Sequence, residues 1–94
     1  MYARLVRFTL GPGQRAVAQA LAGDLVPLIS SQPGCHGVTA FGDDSDGEYG
    51  LFVLWDSQEN AESASHIVRP KLDEHLSGVA KAPPDARLFE VISG

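Results

Sequence analysis

Histidine and tryptophan side chains supply the chemistry that this chain could perform. The three histidines carry imidazoles, which titrate near neutral pH and can accept or donate a proton. His66 follows Glu62 by four residues, so on a helix the carboxylate could orient the imidazole or raise its pKa. Trp55 adds a large apolar surface and one N–H that needs an acceptor when it is buried. These residues are therefore the first candidates for a functional site.

The same residue types do not predict a metal centre. The three histidines (His36, His66 and His75) have no spacing that brings them together, and a lone cysteine, Cys35, supplies neither a zinc framework nor an intrachain disulfide. The acidic run from Asp43 to Glu48 lacks the twelve-residue loop of a calcium site. We therefore expect no metal, and we interpret the acidic run as a solvated hairpin turn.

Length and charge restrict the classes of protein. Ninety-four residues predict one domain, 1–94, with a modest core. The net charge of −5 provides no basic surface, so neither nucleic acid nor an anionic membrane surface is an expected partner. No apolar run reaches the length of a membrane span, and the N-terminus has no secretion signal pattern. A cytoplasmic location is the resulting expectation.

The hydrophobic pattern predicts four strands and two helices. Alternation of apolar residues predicts strands over 2–10, 35–41, 49–55 and 86–92, and helical spacing predicts one helix from Gln14 to before Pro33 and another from about Gln58 to Val68. The order strand, helix, strand, strand, helix, strand is that of an α+β, ferredoxin-like βαββαβ domain. In this arrangement both helices cover one face of an antiparallel four-stranded sheet.

Two prolines predict interruptions of the helices. Pro27 predicts a kink or restart at Gly23, with Asp24 as a new cap, because a proline inside a helix removes one hydrogen bond and clashes with the preceding turn. Pro70 in the same way predicts a separate helical segment after Val68. Asp56 or Ser57 is the predicted cap of the second helix.

The strand from Tyr49 to Trp55 is apolar on both faces and therefore needs cover on both. The two helices can cover one face. The other face, continued by Arg7 and Thr9 in the first strand, is too apolar to remain in water, and a chain of this length has no further layer to cover it. We therefore expect a homodimer formed through the open face of the sheet.

Three motifs resemble the antibiotic biosynthesis monooxygenase (ABM) superfamily of dimeric α/β barrels, and its quinol monooxygenase branch in particular. These motifs are the turn Pro33-Gly34-Cys35-His36-Gly37, the strand exit Trp55-Asp56-Ser57, and His66 four residues before Pro70. The resemblance covers nearly the whole chain. It implies an oxygenase without cofactor that acts on a phenolic or quinol-type aromatic. A base would remove a substrate proton, and the resulting anion would pass an electron to O₂ without metal or flavin.

The resemblance also implies roles for particular residues. His66 is the first candidate for the base, and His75, beside the apolar stripe of the following helical segment, is the second. Substrate-binding candidates are Trp55, Tyr49 with its hydroxyl on the same strand face, Phe52, Asn60, Arg7 and Arg69. His36 matches a turn and is interpreted as structural. The alternatives are that His66 is a surface or interface residue paired with Glu62, and that Trp55 is only a core anchor.

Two other functions are considered. One is a non-catalytic homodimer of the same fold that binds a small apolar ligand or is associated with stress. The other is haem degradation, for which the resemblance requires an asparagine and a second tryptophan where this chain has Val6 and Ala64; only a histidine, His75, falls near the expected place. An apolar cavity beside Trp55 that contains His66 or His75 would favour an enzyme.

Overall fold

The order of the elements is strand, helix, strand, strand, helix, strand in a computed structural model that describes residues 1–94. The strands are β1 (Tyr2–Thr9), β2 (Cys35–Asp43), β3 (Glu48–Trp55) and β4 (Asp85–Glu90), and the helices are α1 (Arg15–Ser30) and α2 (Gln58–Leu76). All neighbouring strands pair antiparallel, in the spatial order β2-β3-β1-β4. The predicted ferredoxin-like α+β arrangement is thereby confirmed. Neither helix combines the length and the apolar character needed to cross a membrane.

The core lies between one face of the sheet and the two helices. Alternate residues of β3 face this core, and each is at most 3% exposed: Tyr49, Leu51, Val53 and Trp55. Helix α1 contributes leucine and isoleucine side chains, whereas α2 contributes two alanines and two leucines: Leu21, Leu25 and Ile29, and Ala61, Ala64, Leu72 and Leu76. The two alanines leave more space between α2 and the sheet than larger side chains would.

Both helices continue through their prolines. The predicted restart at Gly23 and the predicted separate segment after Val68 are wrong, because α1 and α2 are each unbroken from end to end. An interior proline costs about 3 kcal/mol. On each helix two buried apolar side chains lie near the proline: Leu25 and Ile29 in α1, and Leu72 and Leu76 in α2. Burial of each of these side chains contributes about 1.5–3 kcal/mol. Core packing therefore outweighs the local cost.

The ends of the elements use the expected polar residues. The Ser57 hydroxyl oxygen accepts the backbone N–H of Asn60 at 3.1 Å, so Ser57, one of the two predicted caps, begins α2. In the hairpin between β2 and β3, Gly47 has a φ of 73°. Its backbone oxygen accepts the N–H of Leu10 at 2.8 Å, and a Cβ on Gly47 would lie 2.1 Å from the carbonyl carbon of Gly11. Only glycine allows this contact between the hairpin and the end of β1.

The face of the sheet opposite the helices carries large apolar side chains in contact with solvent. Three phenylalanines, one each from β2, β3 and β4, are 41%, 39% and 38% exposed: Phe41, Phe52 and Phe89. The register brings Leu5 of β1 opposite Phe52 on this face. The single chain therefore has an open apolar face, as the strand pattern predicts.

Candidate active site

A cavity of about 170 Å³ lies between the sheet and α2. Ten of its thirteen lining residues are hydrophobic, and they come mainly from the core faces of β1 and β3 and from the inner face of α2. Ala61 and Ala64 line it on the helix side, and Trp55 lines it on the strand side. The cavity therefore exists because α2 presents small side chains opposite a strand of large ones.

Trp55 has a buried polar atom without a partner. The residue ends β3 and is 3% exposed, and its indole Nε1 is the one buried side-chain nitrogen or oxygen in the chain that has no hydrogen-bond partner. An unsatisfied buried donor costs about 1–3 kcal/mol. Such a group at a cavity wall indicates that an acceptor belongs there, either a water or an oxygen atom of a ligand.

Two arginines and a serine complete the polar lining. Arg4 lies on the core face of β1, opposite Val53 in the register, while Ser65 and Arg69 come from α2. Arg4 forms no ion pair and no side-chain hydrogen bond. Arg69, in contrast, is paired with Asp73, with 3.5 Å between Arg69 Nε and Asp73 Oδ1. Burial lowers the pKa of Arg4; the Glu62 carboxylate raises it, and the positive charge of Arg69 lowers it further. Arg4 therefore brings a guanidinium group without an ion pair to the cavity, where Arg69 is paired with Asp73.

Neither candidate base lines this cavity. His66 is exposed and lies in a shallow depression on the outer side of α2, together with Ser65 and Arg69, which also line the cavity. Glu62 accepts a hydrogen bond from Gln58 Nε2 at 3.2 Å, so the hypothesis that it pairs with His66 is not supported by a contact. The structure thus places His66 beside the edge of the cavity and outside it.

His75 and His36 each contact an aspartate. His75 Nε2 lies 2.8 Å from Asp24 Oδ2, which links α2 to α1, and this hydrogen bond is the main reason that the pKa of Asp24 is lowered. His36, at an irregularity in β2, contacts the Asp56 carboxylate just beyond β3. These contacts hold elements together at the surface, in agreement with the structural interpretation of His36.

Tyr49 lies on the same face of β3 as Trp55 but at the other end. Its hydroxyl donates to Asp44 Oδ1 at 2.8 Å, and Asp44 Oδ2 accepts from Arg15 Nη1 at 3.1 Å. Burial and this hydrogen bond raise the pKa of Tyr49. Tyr49 and Arg15 line a second cavity, between α1 and the hairpin of β2 and β3. The structure therefore does not bring Tyr49 together with Trp55.

The remaining predicted binding residues also lie outside the cavity beside Trp55. Arg7 is on the open face of the sheet, 3.5 Å from Glu48 and 3.6 Å from Asp85, and Phe52 is on the same face. The Asn60 side chain packs against Gly34, at the turn before β2. Of the residues singled out in the sequence, Trp55 and Arg69 are the two that meet at the cavity.

Sequence reasoning missed Arg4 and Ser65. The alternation of Val6 and Phe8 on the core face of β1, extended by one step toward the N-terminus, places Arg4 on that same face. A charged residue at a core position of a strand is a signal for a functional group, because an isolated buried charge is costly. Ser65 carries no comparable signal in the sequence.

Solved structures with this fold cover nearly the whole chain. A cofactor-independent oxygenase from Streptomyces nogalater, SnoaB, is 19% identical with a TM-score of 0.74, and the match covers 99% of this chain and 94% of that one. A protein of unknown function from Nitrosomonas europaea is 19% identical with a TM-score of 0.81 and coverage of 99% and 90%. Rv0793 from Mycobacterium tuberculosis is 18% identical with a TM-score of 0.77 and coverage of 99% and 96%. At these identities the likeness establishes the fold.

Sequence comparison identifies the family. No curated protein matches the chain. The family model described as antibiotic biosynthesis monooxygenase matches residues 1–66, a region that includes β1, α1, β2, β3 and the first half of α2. Trp55 and Arg4 both lie within this region. The chain therefore belongs to the antibiotic biosynthesis monooxygenase family.

Proposed function

We propose that the protein is a cofactor-independent monooxygenase that oxidises a phenolic or quinol-type aromatic in the cavity beside Trp55. The observation that carries the proposal is the buried, unpartnered indole N–H of Trp55, a residue that lines an apolar cavity together with Arg4 and Arg69. An apolar ring fits the hydrophobic walls, and its oxygen atom gives the indole the acceptor that it lacks. The match to a cofactor-independent oxygenase in fold supports the same class of reaction.

The positive charge at the cavity favours the anionic form of the substrate. Arg4 and Arg69 stabilise a bound phenolate relative to the phenol, so the pKa of the bound hydroxyl falls toward neutrality. The Trp55 N–H donates to the same oxygen, and a hydrogen bond to a charged acceptor is stronger than one to a neutral acceptor. The hydrophobic lining excludes water, which strengthens both interactions.

The reaction is balanced without an added reductant. The electron-rich anion gives one electron to O₂, and the two radicals combine to form a bond between a ring carbon and oxygen. Cleavage of the O–O bond then leaves one oxygen atom on the ring carbon as a carbonyl. The other oxygen atom leaves as water, whose two hydrogens are the one lost by that ring carbon and the one lost by the substrate hydroxyl. The substrate is oxidised by four electrons and O₂ is reduced by four, so a quinol and O₂ give a hydroxyquinone and water.

The proton of the hydroxyl must leave the cavity, because no carboxylate or imidazole lines it. His66 shares the outer depression with Ser65 and Arg69, which also form part of the cavity wall. We therefore retain His66 as the proton acceptor, acting through water at the edge of the cavity and not by direct contact with the ring. The absence of a base from the lining also favours the second candidate function, a protein that binds an aromatic ligand without oxidising it.

The proposal includes a second copy of the chain on the open face of the sheet. Burial of the exposed 39% of Phe52 would remove about 80 Å² from water and contribute about 2 kcal/mol in each protomer. Phe41 and Phe89 are exposed to the same extent on the same face. A symmetric dimer covers all three in both copies at once.

Oxygen uptake by the metal-free protein with a panel of quinols tests the function. Ala64→Leu is expected to abolish turnover, because it fills the cavity from α2, and to leave stability equal or higher. Ser63→Leu adds the same bulk on the exposed side of α2 and should keep turnover. Ligand binding without oxygen uptake would support the non-catalytic function, and turnover by Ala64→Leu at the wild-type rate would remove this cavity from the reaction.

A further inference from the structure

Arg4 differs from the chain's arginines that form ion pairs. Arg7, Arg15 and Arg69 each lie within 4 Å of a carboxylate oxygen, whereas half-buried Arg4 has neither an ion pair nor a side-chain hydrogen bond. Arg69, across the same cavity, adds a second positive charge. Burial and the positive charge of Arg69 both disfavour the charged guanidinium of Arg4, and the Glu62 carboxylate offsets part of this without forming an ion pair. An anion in the cavity beside Arg4 would therefore stabilise the guanidinium.

The geometry of the guanidinium group indicates which kind of anion would bind to Arg4. Its planar fork donates two parallel hydrogen bonds to a carboxylate, which a single phenolate oxygen cannot accept in the same way. The phenolate oxygen already has a donor in the indole N–H of Trp55. The two kinds of donor in this cavity therefore suit a ligand with two different oxygen groups.

The register gives the separation of the two residues at their Cβ atoms, from which the two donor groups extend. Arg4 lies opposite Val53, two residues from Trp55 on the same strand face, so Arg4 and Trp55 are diagonal neighbours across the pair of strands. Diagonal neighbours are roughly 7–8 Å apart. A benzene ring with oxygen-bearing groups on opposite sides has a comparable length.

The volume of the cavity limits the number of rings. An apolar cavity of about 150 Å³ accommodates a benzene molecule. The cavity here, about 170 Å³, is only slightly larger, and its outer side at Arg69 adds room for substituents. A fused three-ring molecule exceeds this volume.

We propose that the ligand of this cavity is a single-ring hydroxylated aromatic acid, with its carboxylate bound by Arg4 and Arg69 and its phenolic oxygen accepting from the Trp55 N–H. The inference rests on the proposed function, because it names the substrate class of the same site. It can nevertheless be tested by binding alone.

The test measures the affinity of the intact protein for matched probes by calorimetry. 4-Hydroxybenzoate and 4-hydroxybenzamide have nearly the same shape but differ in charge, and a three-ring anthracene carboxylic acid tests size. We expect the benzoate to bind at least about tenfold more tightly than the amide, since a hydrogen bond to a charged group contributes more than a neutral one. The three-ring acid should not bind.

Arg4→Gln should reduce the preference for the acid over the amide to less than about twofold, while Arg7→Gln, on the opposite face of the same strand, should keep it. If Arg4→Gln does not fold, Arg69→Gln, at the outer border of the cavity, provides the second variant and should reduce the preference in the same direction. Equal binding of acid and amide by the wild type, or binding of none of the probes, would overturn the inference. Binding of the benzoate by a protein that takes up no oxygen with any quinol of the panel would leave the inference standing and remove the monooxygenase function instead.

Discussion

Replacement of Trp55 by phenylalanine separates the role of the indole N–H from its role in packing. The side chain is 97% buried, and its Nε1 has no acceptor in the chain. Trp55→Phe keeps an aromatic ring at the end of β3 and removes the N–H. In the free protein, the substitution therefore removes an N–H that has no hydrogen-bond acceptor. In the complex with substrate, it removes the proposed hydrogen-bond donor to the substrate oxygen.

The effects on stability oppose one another. Loss of the unsatisfied donor relieves about 1–3 kcal/mol. The smaller ring leaves a void of roughly 40 Å³ and less buried surface, which together cost about 2 kcal/mol. The free energy of unfolding should therefore change by no more than about 1 kcal/mol, which corresponds to a shift in Tm within about 8 °C for a domain of this size. In the complex, a lost hydrogen bond to a charged oxygen costs about 1.5–3 kcal/mol, so kcat/KM should fall about 10-fold to 150-fold.

Tyr49→Phe is the matched control, because it removes a buried hydroxyl from the same strand face. That hydroxyl donates to Asp44, so its loss leaves an existing hydrogen bond unmade. Oxygen uptake should then separate the two variants: Tyr49→Phe lowers Tm but keeps kcat/KM, while Trp55→Phe lowers kcat/KM with a Tm shift of no more than about 8 °C. Trp55→Phe with unchanged kcat/KM would refute the assignment of the N–H to the substrate, and a loss of more than about 4 kcal/mol of stability would mean that Trp55 is chiefly a core anchor.

Three further predictions concern proton transfer, assembly and pH. His66→Ala should lower kcat and change its pH profile, whereas His75→Ala, on the same helix but bound to Asp24, should not; equal profiles would exclude His66 as the acceptor. Phe52→Glu should convert a dimer into a monomer in sedimentation, and a wild-type monomer at micromolar concentration would contradict the proposed covering of the open face. The pKa of Asp24 is lowered from its ordinary value of 3.8, so its carboxylate stabilises the fold at pH values above 3.8. This contribution is lost as the pH falls below 3.8 and through the lowered pKa. The Tm difference between wild type and Asp24→Asn should therefore narrow in acid.

The fold could be predicted because alternation and helical spacing fix which residues enter the core. The four residues of β3 from Tyr49 to Trp55 that the pattern groups on one face are all buried, and Phe52 is exposed on the other face. The effect of Pro27 and Pro70 could not be predicted in the same way. A local rule gives the cost of a proline, but the compensation comes from contacts with the sheet that are distant in sequence.

The rotation of α2 explains why His66 does not line the cavity, and the position of His75 along α2 explains why His75 does not. Four residues at spacings of three and four form the inner stripe of the helix: Ala61, Ala64, Val68 and Leu72. At 100° per residue, His66 lies about 200° from Ala64 and therefore on the outer side. His75 falls within the angular range of this stripe but lies beyond Leu72 toward the C-terminal end of α2, where it contacts Asp24 of α1. This rotation is readable from the sequence once the small residues are treated as part of the apolar stripe.

Strand alternation also connects the cavity with the open face. Arg4 and Val6 of β1 enter the cavity, while the intervening Leu5 lies opposite Phe52 on the other face, so both surfaces depend on one register between β1 and β3. A slip by one residue would remove Arg4 from the cavity and place an apolar side chain in its position. A second chain packed on the open face would stabilise the pairing of β1 with β3. The guanidinium of Arg4 and the indole of Trp55 would then keep a constant separation. Formation of the proposed dimer would then stabilise the geometry of a site to which the partner need not contribute a residue.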